Sequence, residues 1–185
     1  MNKDIAKELI DRAKHDLYIR EELLRDGKLS SGYHPDMERI HVKNAIRLDE
    51  IIDSTGYPTI SKVGKEASDA AWLIVQHAIS KPDLMKRCYA LISEVADEVT
   101  SQNFAYLHDR ICYFEGRPQK YGTQFDDRGI YAVEDKAEMI RLRKKLRLIA
   151  HEDELISEYK TSKDQVDLHP PDKEFNKWRK KVGWI

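Results

Sequence analysis

Residues 65–79 constrain the fold most, because their apolar side chains cover nearly the whole circumference of a helix. A surface helix carries a single apolar stripe, whereas a helix that is apolar all round needs neighbours on every side. The run AAWLIVQHA at positions 70–78 also contains Gln76 and His77. Burying either polar side chain without a partner costs about 1–3 kcal/mol. We therefore predict a central helix whose two polar side chains meet a partner or a ligand.

Helical spacing also dominates the rest of the chain. Apolar residues recur at intervals of three, four and seven, which is typical of amphipathic helices. Pro35 and Pro82 suit the first turn of a helix, and Gly27 and Gly56 suit the end of one. No strand alternation is convincing, and two short strands around residues 130–133 are left open. We predict an all-α, single-domain bundle of about six helices, over residues 3–26, 35–55, 65–79, 82–99, 102–115 and 134–159.

A long loop over residues 116–133 interrupts this pattern. Its first part, GRPQKYGTQF, is rich in glycine, tyrosine and amide side chains. Loops of this length inside a compact domain are often functional. We predict one helical domain over residues 1–160, followed by a polar tail over residues 161–185 that contains a short basic aromatic helix.

Charge and composition exclude several classes of protein. Among the 185 residues, 32 Lys and Arg balance 33 Asp and Glu, so the net charge is −1. Nucleic acids and anionic membranes both favour a basic excess, so neither is expected as a partner. The N-terminus is charged from the third residue and the longest apolar run is too short to span a membrane, which predicts a cytoplasmic protein. Cys88 and Cys112 lie far apart and predict two reduced, buried thiols.

His77 is the first candidate for chemistry. It lies at the edge of the most buried face of the predicted central helix, and its ordinary pKa suits a general acid or base near neutral pH. A core histidine bonded to a backbone carbonyl is the competing interpretation. Gln76 points about 100° away from His77, so the two serve one spot only if the helix is contacted on two sides.

The predicted helix over residues 102–115 carries the second candidate face. Tyr106, Asp109, Arg110 and Tyr113 are neighbours on one side of it. The helix runs into the long loop, whose polar side chains can line the same cleft, with Arg110 able to bind a carboxylate or phosphate. A solvated helix face is the competing interpretation. The loop residues concerned are Gln119, Tyr121, Thr123 and Gln124.

A metal centre is not expected from the spacing of the histidines. His108 and Asp109, taken with His77, match no recognised zinc or iron pattern. We therefore predict neither a metal nor a cofactor.

Six motifs together resemble a bacterial family, the domain-of-unknown-function family 6624. They are, in order, N-x-x-R-L at 44–48, G-Y-P-T at 56–59, V-G at 63–64, A-A-W-L-I-V-Q-H at 70–77, Y-L-x-D-R at 106–110 and G-R-P-Q-x-Y-G-T-Q at 116–124. The resemblance covers roughly residues 40–159. The family usually has tryptophan where this chain has Tyr57, and a small residue where it has His108, which argues against a shared role for His108.

The resemblance implies positions rather than an activity. Besides the residues already named, it points to Asn44, Arg47 and Thr59, so that the set is Asn44, Arg47, Thr59, Gln76, His77, Tyr106, Asp109, Arg110, Gln119, Tyr121, Thr123 and Gln124. Structural demands alone rarely select so many polar types in one small domain.

Two hypotheses follow. In the first, the protein binds or acts on a small polar or anionic ligand. His77 is then the acid–base group, Asp109 orients it, and Arg110 or Arg47 holds the anion. The other ligand-binding positions are Gln76, Tyr106, Gln119, Tyr121, Thr123 and Gln124.

In the second hypothesis, the protein is a non-enzymatic helical module of immunity, regulatory or adaptor type. The polar motifs are then architectural and attach the long loop to the central helix through buried hydrogen bonds. Burial and mutual bonding of these side chains would favour the second hypothesis, and an open pocket would favour the first. The oligomeric state is left open.

Overall fold

The computed structural model describes residues 1–29, 33–126, 129–164, 167–169 and 172–185. The sequence also predicts a small polar loop at Ser-Ser-Gly, residues 30–32, which lies outside this part of the chain. Contacts divide the chain into two compact units, Met1–Thr100 and Ser101–Ile185. None of the described helices is both long enough and apolar enough to cross a membrane.

Unit 1, Met1–Thr100, is built from helices that begin and end largely where the sequence predicts. Asn2 caps the first helix by accepting a hydrogen bond from the Ile5 amide. Prolines stand in the first turn of the second and fifth helices, where a missing N–H costs nothing. The elements are α1 Lys3–Arg25, α2 Pro35–Thr55, α3 Ile60–Val63, α4 Lys65–His77, α5 Pro82–Glu94 and a 3₁₀ turn at Ala96–Glu98.

Helix α4 is the centre of unit 1, as its apolar circumference predicts. It contacts α1, α2, α3 and α5. Ala71, Ile74 and Val75 on α4 are buried, as are Leu9 of α1 and Leu48 of α2. The helix stops at His77, two residues before the predicted end, because the chain turns at Ala78, whose ψ is 38°.

Unit 2, Ser101–Ile185, combines helices with a very short hairpin. The strands pair antiparallel, with Phe125 opposite Ile130. Val133 makes isolated parallel bridges to Gln119 and Thr161. The elements are α6 Ser101–Glu115, β1 Phe125–Asp126, β2 Gly129–Ile130, α7 Lys136–Lys145, α8 Asp153–Glu158, a 3₁₀ turn at Ser162–Asp164 and α9 Lys173–Val182.

The helix predicted over residues 134–159 is divided into α7 and α8. Arg147 has a φ of 54°, which a continuing helix does not allow. The buried Arg143 guanidinium turns inward and donates hydrogen bonds to the Ile149 carbonyl, so the chain folds back on itself after α7. The periodicity does not show this break, because the apolar spacing continues through it.

The C-terminal segment packs within unit 2. Arg179 of α9 is buried and donates to the Phe114 carbonyl at 2.8 Å. The rings of Trp184 and Phe114 stack with centroids 5.0 Å apart. The all-α fold class is confirmed, and the predicted division into residues 1–160 and a tail stays a prediction.

Candidate functional site

Three polar contacts cross the interface between α1 and α2. Glu8 accepts hydrogen bonds from Arg47 at 2.8 and 3.0 Å. One turn along, Arg12 donates to the Asn44 side-chain oxygen at 3.3 Å. One turn further, Asp16 lies 3.2 Å from His41 Nε2. Residue numbers rise on α1 while they fall on α2, so the two helices are antiparallel and share a polar strip.

The strip ends in a buried cluster of Asp16, His41 and His77. Asp16 Oδ1 contacts His41 Nε2 at 3.2 Å, and Oδ2 contacts His77 Nδ1 at 2.9 Å. The Asp16 side chain is 1% exposed, that of His41 9% and that of His77 23%. The two imidazole rings have centroids 4.8 Å apart. One carboxylate from α1 therefore holds a histidine from α2 and a histidine from α4.

The protonation of Asp16 determines how both rings bond. Burial opposes ionisation of the carboxyl, but hydrogen bonds from His41 and His77 overcome it and hold the pKa of Asp16 at about 2. An ionised carboxylate only accepts hydrogen bonds. The nitrogens that face it, His41 Nε2 and His77 Nδ1, must therefore carry protons.

This arrangement leaves the other ring nitrogens in defined states. Tyr33 lies 2.7 Å from His41 Nδ1, where its hydroxyl can donate to a neutral ring. Within the described ranges, His77 Nε2 has no hydrogen-bond partner. The carboxylate that contacts His77 is that of Asp16, at 2.9 Å. The acid–base role of His77 and the orienting role of Asp109 stay predictions.

The same cluster has the donor set of a metal site. The ligand atoms of Asp16, His41 and His77 all lie within 4.8 Å of one another. Sequence spacing misses the set, because Asp16 is 25 residues from His41 and 61 from His77. One signal was available: Asp16 lies on the stripe of α1 that buries Leu9 and Ala13, where a charge needs a partner.

A groove of about 640 Å³ lies beside the strip, between α1 and α2. Asn44 lines it, is 5% exposed, and has a buried Nδ2 for which the described residues provide no hydrogen-bond partner. His15 of α1 and Lys43 of α2 also line the groove. In the part of the chain that the structure describes, neither has an ion-pair partner. The remaining lining residues are Asp4, Lys7, Glu8, Asp11, Arg12, Arg39 and Ile40.

Arg47 and Gln76 complete the predicted residues of unit 1. Arg47 is already bound, since it donates to Glu8 and to Glu50. The hydrogen bond from Arg47 lowers the pKa of Glu8 to about 2, against a smaller effect of burial. Gln76 is buried, and its Nε2 has no hydrogen-bond partner among the described residues.

In unit 2, the Asp109 carboxylate anchors the long loop. It is fully buried and accepts the backbone N–H groups of Lys120, Tyr121 and Thr123 at 2.8–3.1 Å. The Thr123 hydroxyl donates to it at 3.0 Å, and His108 Nδ1 lies 3.0 Å from it. The hydrogen-bonding capacity of Asp109 is therefore used within unit 2.

The two glutamines hold the rest of this loop. Gln119 is fully buried, donates to the carbonyls of Gln124 and Tyr131, and accepts the Gln124 amide N–H. Gln124 donates in turn to the Thr123 hydroxyl at 3.1 Å. Arg143 donates to the Tyr121 carbonyl at 2.7 Å. These motif side chains bond to one another and to the loop backbone.

The remaining predicted residues of unit 2 differ in exposure. Tyr106 is 39% exposed. Arg110 is partly buried, burial lowers its pKa, and its Nε has no hydrogen-bond partner among the described residues. The ten predicted site residues thus fall into two groups. Arg47, Gln76 and His77 belong to unit 1, and Tyr106, Asp109, Arg110, Gln119, Tyr121, Thr123 and Gln124 belong to unit 2.

Comparison with known proteins agrees with the resemblance. A model described as a family of unknown function (DUF6624) matches residues 3–143. The match includes α1 and α2 completely, and so begins earlier than the motifs indicated. The comparisons found no match among curated proteins and none among solved structures.

Proposed function

The chain belongs to a family of unknown function, DUF6624, and we propose that its unit 1 binds a small anion, with a carboxylate or phosphate group, in the groove between α1 and α2. Asn44 carries this proposal. Its side chain is 5% exposed, yet its Nδ2 lacks a hydrogen-bond partner among the described residues. An unsatisfied buried donor costs about 1–3 kcal/mol. An acceptor on a bound ligand that reaches this nitrogen removes that cost.

The charges that line the groove favour an anion. Lys7 pairs with Asp11 at 2.5 Å, and Arg12 with Glu8 at 2.8 Å, so these four largely cancel. Arg39 pairs with Asp36 at 2.9 Å, which leaves Lys43 and His15 as donors to a ligand. Asp4, eleven residues before His15 on α1, lies roughly 16 Å away along the helix. That distance exceeds the Debye length of about 8 Å at physiological ionic strength, so salt largely screens the effect of the Asp4 charge at His15.

The size of the groove fits a metabolite. Its volume of about 640 Å³ lies inside the usual range for small-molecule sites, about 300–1,000 Å³. A ligand with one carboxylate or phosphate group would bind Lys43 and His15, and a neutral oxygen of the ligand would accept from Asn44. Both kinds of anion suit a lysine, which acts as a point charge.

The polar motif of unit 2 has an architectural role in this proposal. Asp109 and Gln119 are fully buried, and their bonds to the loop backbone account for the amide-rich sequence. Both earlier hypotheses thus contribute, with binding assigned to unit 1 and architecture to unit 2.

Calorimetric titration tests the binding. Inorganic phosphate, glycerol 3-phosphate, succinate and citrate are titrated separately into the full chain. We expect at least one of them to bind, and Lys43→Ala to weaken binding about tenfold, which corresponds to about 1.4 kcal/mol. Lys65→Ala is a matched control, because Lys65 lies on α4 outside the groove lining and should leave the affinity unchanged. Equal weakening by both variants, or no binding of any of the four anions, would contradict the proposal.

A further inference from the structure

We infer that Asp16, His41 and His77 form a site for one divalent zinc ion. The donor types match the preference of zinc, which accepts imidazole nitrogen and carboxylate oxygen together in three-ligand sites. The three donor atoms come from α1, α2 and α4, which pack against one another in unit 1. The inference does not depend on the anion site, because none of these three residues lines the groove.

The distances lie close to those around a tetrahedral ion. With zinc–nitrogen bonds of about 2.0–2.1 Å, neighbouring ligand atoms in a tetrahedron lie about 3.3 Å apart. Different oxygens of Asp16 contact the two rings: Oδ1 lies 3.2 Å from His41 Nε2, and Oδ2 lies 2.9 Å from His77 Nδ1. One ligand atom from each residue lies within 4.8 Å of the other two, so rotation of the Asp16 carboxylate and of the more exposed His77 ring must bring one oxygen and two nitrogens around the ion.

Each imidazole ring can turn a lone pair towards the ion by changing its tautomer. His41 Nε2–H and His77 Nδ1–H now point at Asp16, so each neutral ring must move its proton to its other nitrogen through solvent. His41 Nδ1–H then donates to the Tyr33 oxygen, which lies 2.7 Å away. The Nε2–H of His77 faces no described partner and is available to water.

Tyr33 supplies the outer contact that metal-binding histidines usually have. Such partners fix the ring tautomer and orientation, and their removal typically weakens metal binding 10–100-fold. The ring of Tyr33 also stacks on that of His41, with centroids 5.6 Å apart. Because the His77 side chain is 23% exposed, it gives the ion access from solvent and leaves the fourth position to water.

Calorimetric titration of Zn²⁺ alone into chelator-treated full-length protein tests the inference. We expect one equivalent of Zn²⁺ to bind the wild-type protein. His41→Ala and His77→Ala should each bind at least ~100-fold more weakly. Tyr33→Phe, which keeps all three zinc ligands, should bind ~10-fold more weakly. His15→Ala is the matched control, because His15 is an exposed histidine beside Asp16 and should not contribute. Lys43→Ala should bind Zn²⁺ normally even though it weakens anion binding, which separates this inference from the proposed function.

Nuclear magnetic resonance of the wild-type protein keeps the inference testable if an alanine variant does not fold. Zn²⁺ should shift the ring signals of His41 and His77 together and leave those of His15 in place. Absence of binding to the wild-type chain would overturn the inference. So would unchanged affinity in folded His41→Ala and His77→Ala variants, or a shift confined to His15.

Discussion

Replacing Asp109 with asparagine tests whether one buried carboxylate holds the long loop. An asparagine oxygen at the position of Oδ2 still accepts from Thr123 and Tyr121. Its NH₂ group then faces the Lys120 N–H, which donates to Oδ1 at 2.8 Å in the native chain. One charge-assisted bond is lost and one donor is left unsatisfied, which together destabilise the loop by about 3 kcal/mol.

Hydrogen exchange measures this effect at the loop itself. A loss of about 3 kcal/mol should speed exchange of the Lys120, Tyr121 and Thr123 amides about 100-fold. Asp172→Asn is the matched control in the same unit. Asp172 caps α9 by accepting the Glu174 and Phe175 amides, and asparagine caps equally well, so stability should change by less than ~0.5 kcal/mol. If the three loop amides of Asp109→Asn stay as protected as in the wild type, the loop is held by something other than this carboxylate.

Three further predictions concern stability and thiol chemistry. Because the folded pKa of Glu8 is about 2 against an ordinary 4.5, its ion pair stabilises unit 1 above pH 4.5 and is lost as the pH falls towards 2. In urea unfolding, the free energy of unfolding of Glu8→Gln should fall by about 1 kcal/mol less than that of the wild type as the pH is lowered. The same pH dependence in both proteins would refute this prediction. Gly122→Ala should lower the free energy of unfolding by about 2 kcal/mol more than Gly27→Ala does. Both glycines have a positive φ, but an added Cβ meets neighbours within 3 Å only at Gly122. Equal urea midpoints for the two variants would contradict this. Burial raises the pKa of Cys88 and of Cys112 to about 12. A thiol reagent at pH 8 should therefore modify neither cysteine in the folded protein and both after unfolding. Fast modification of the folded protein would contradict this prediction.

Local sequence patterns predicted the helices of unit 1 well. Pro35, Pro82 and Gly56 mark helix ends through backbone chemistry that acts within a few residues. The all-round apolar character of residues 65–79 correctly indicated the central helix α4. The break between α7 and α8 could not be predicted, because it depends on the Arg143 side chain reaching carbonyl groups of two separate segments.

The candidate site was only partly visible in the sequence. The sequence predicts a partner for His77, because an imidazole on an apolar helix needs one. That partner is Asp16, which lies 61 residues away in the sequence. Such a pairing depends on how α1 packs against α4, which neither spacing nor periodicity determines. His41 carried no pattern of its own. The loop motif predicts a polar cluster, but its hydrogen bonds to Asp109 depend on the folded path of residues 120–123.

We propose that unit 1 binds the ligand and that the polar loop of unit 2 is architectural. Amide chemical-shift mapping during titration with whichever of the four anions binds distinguishes these two roles. The largest shifts should fall on residues lining the α1–α2 groove, Arg12, His15, Lys43 and Asn44, while residues 119–124 stay in place. Shifts concentrated on residues 119–124, with the groove residues unchanged, would mean that the ligand binds to the loop instead.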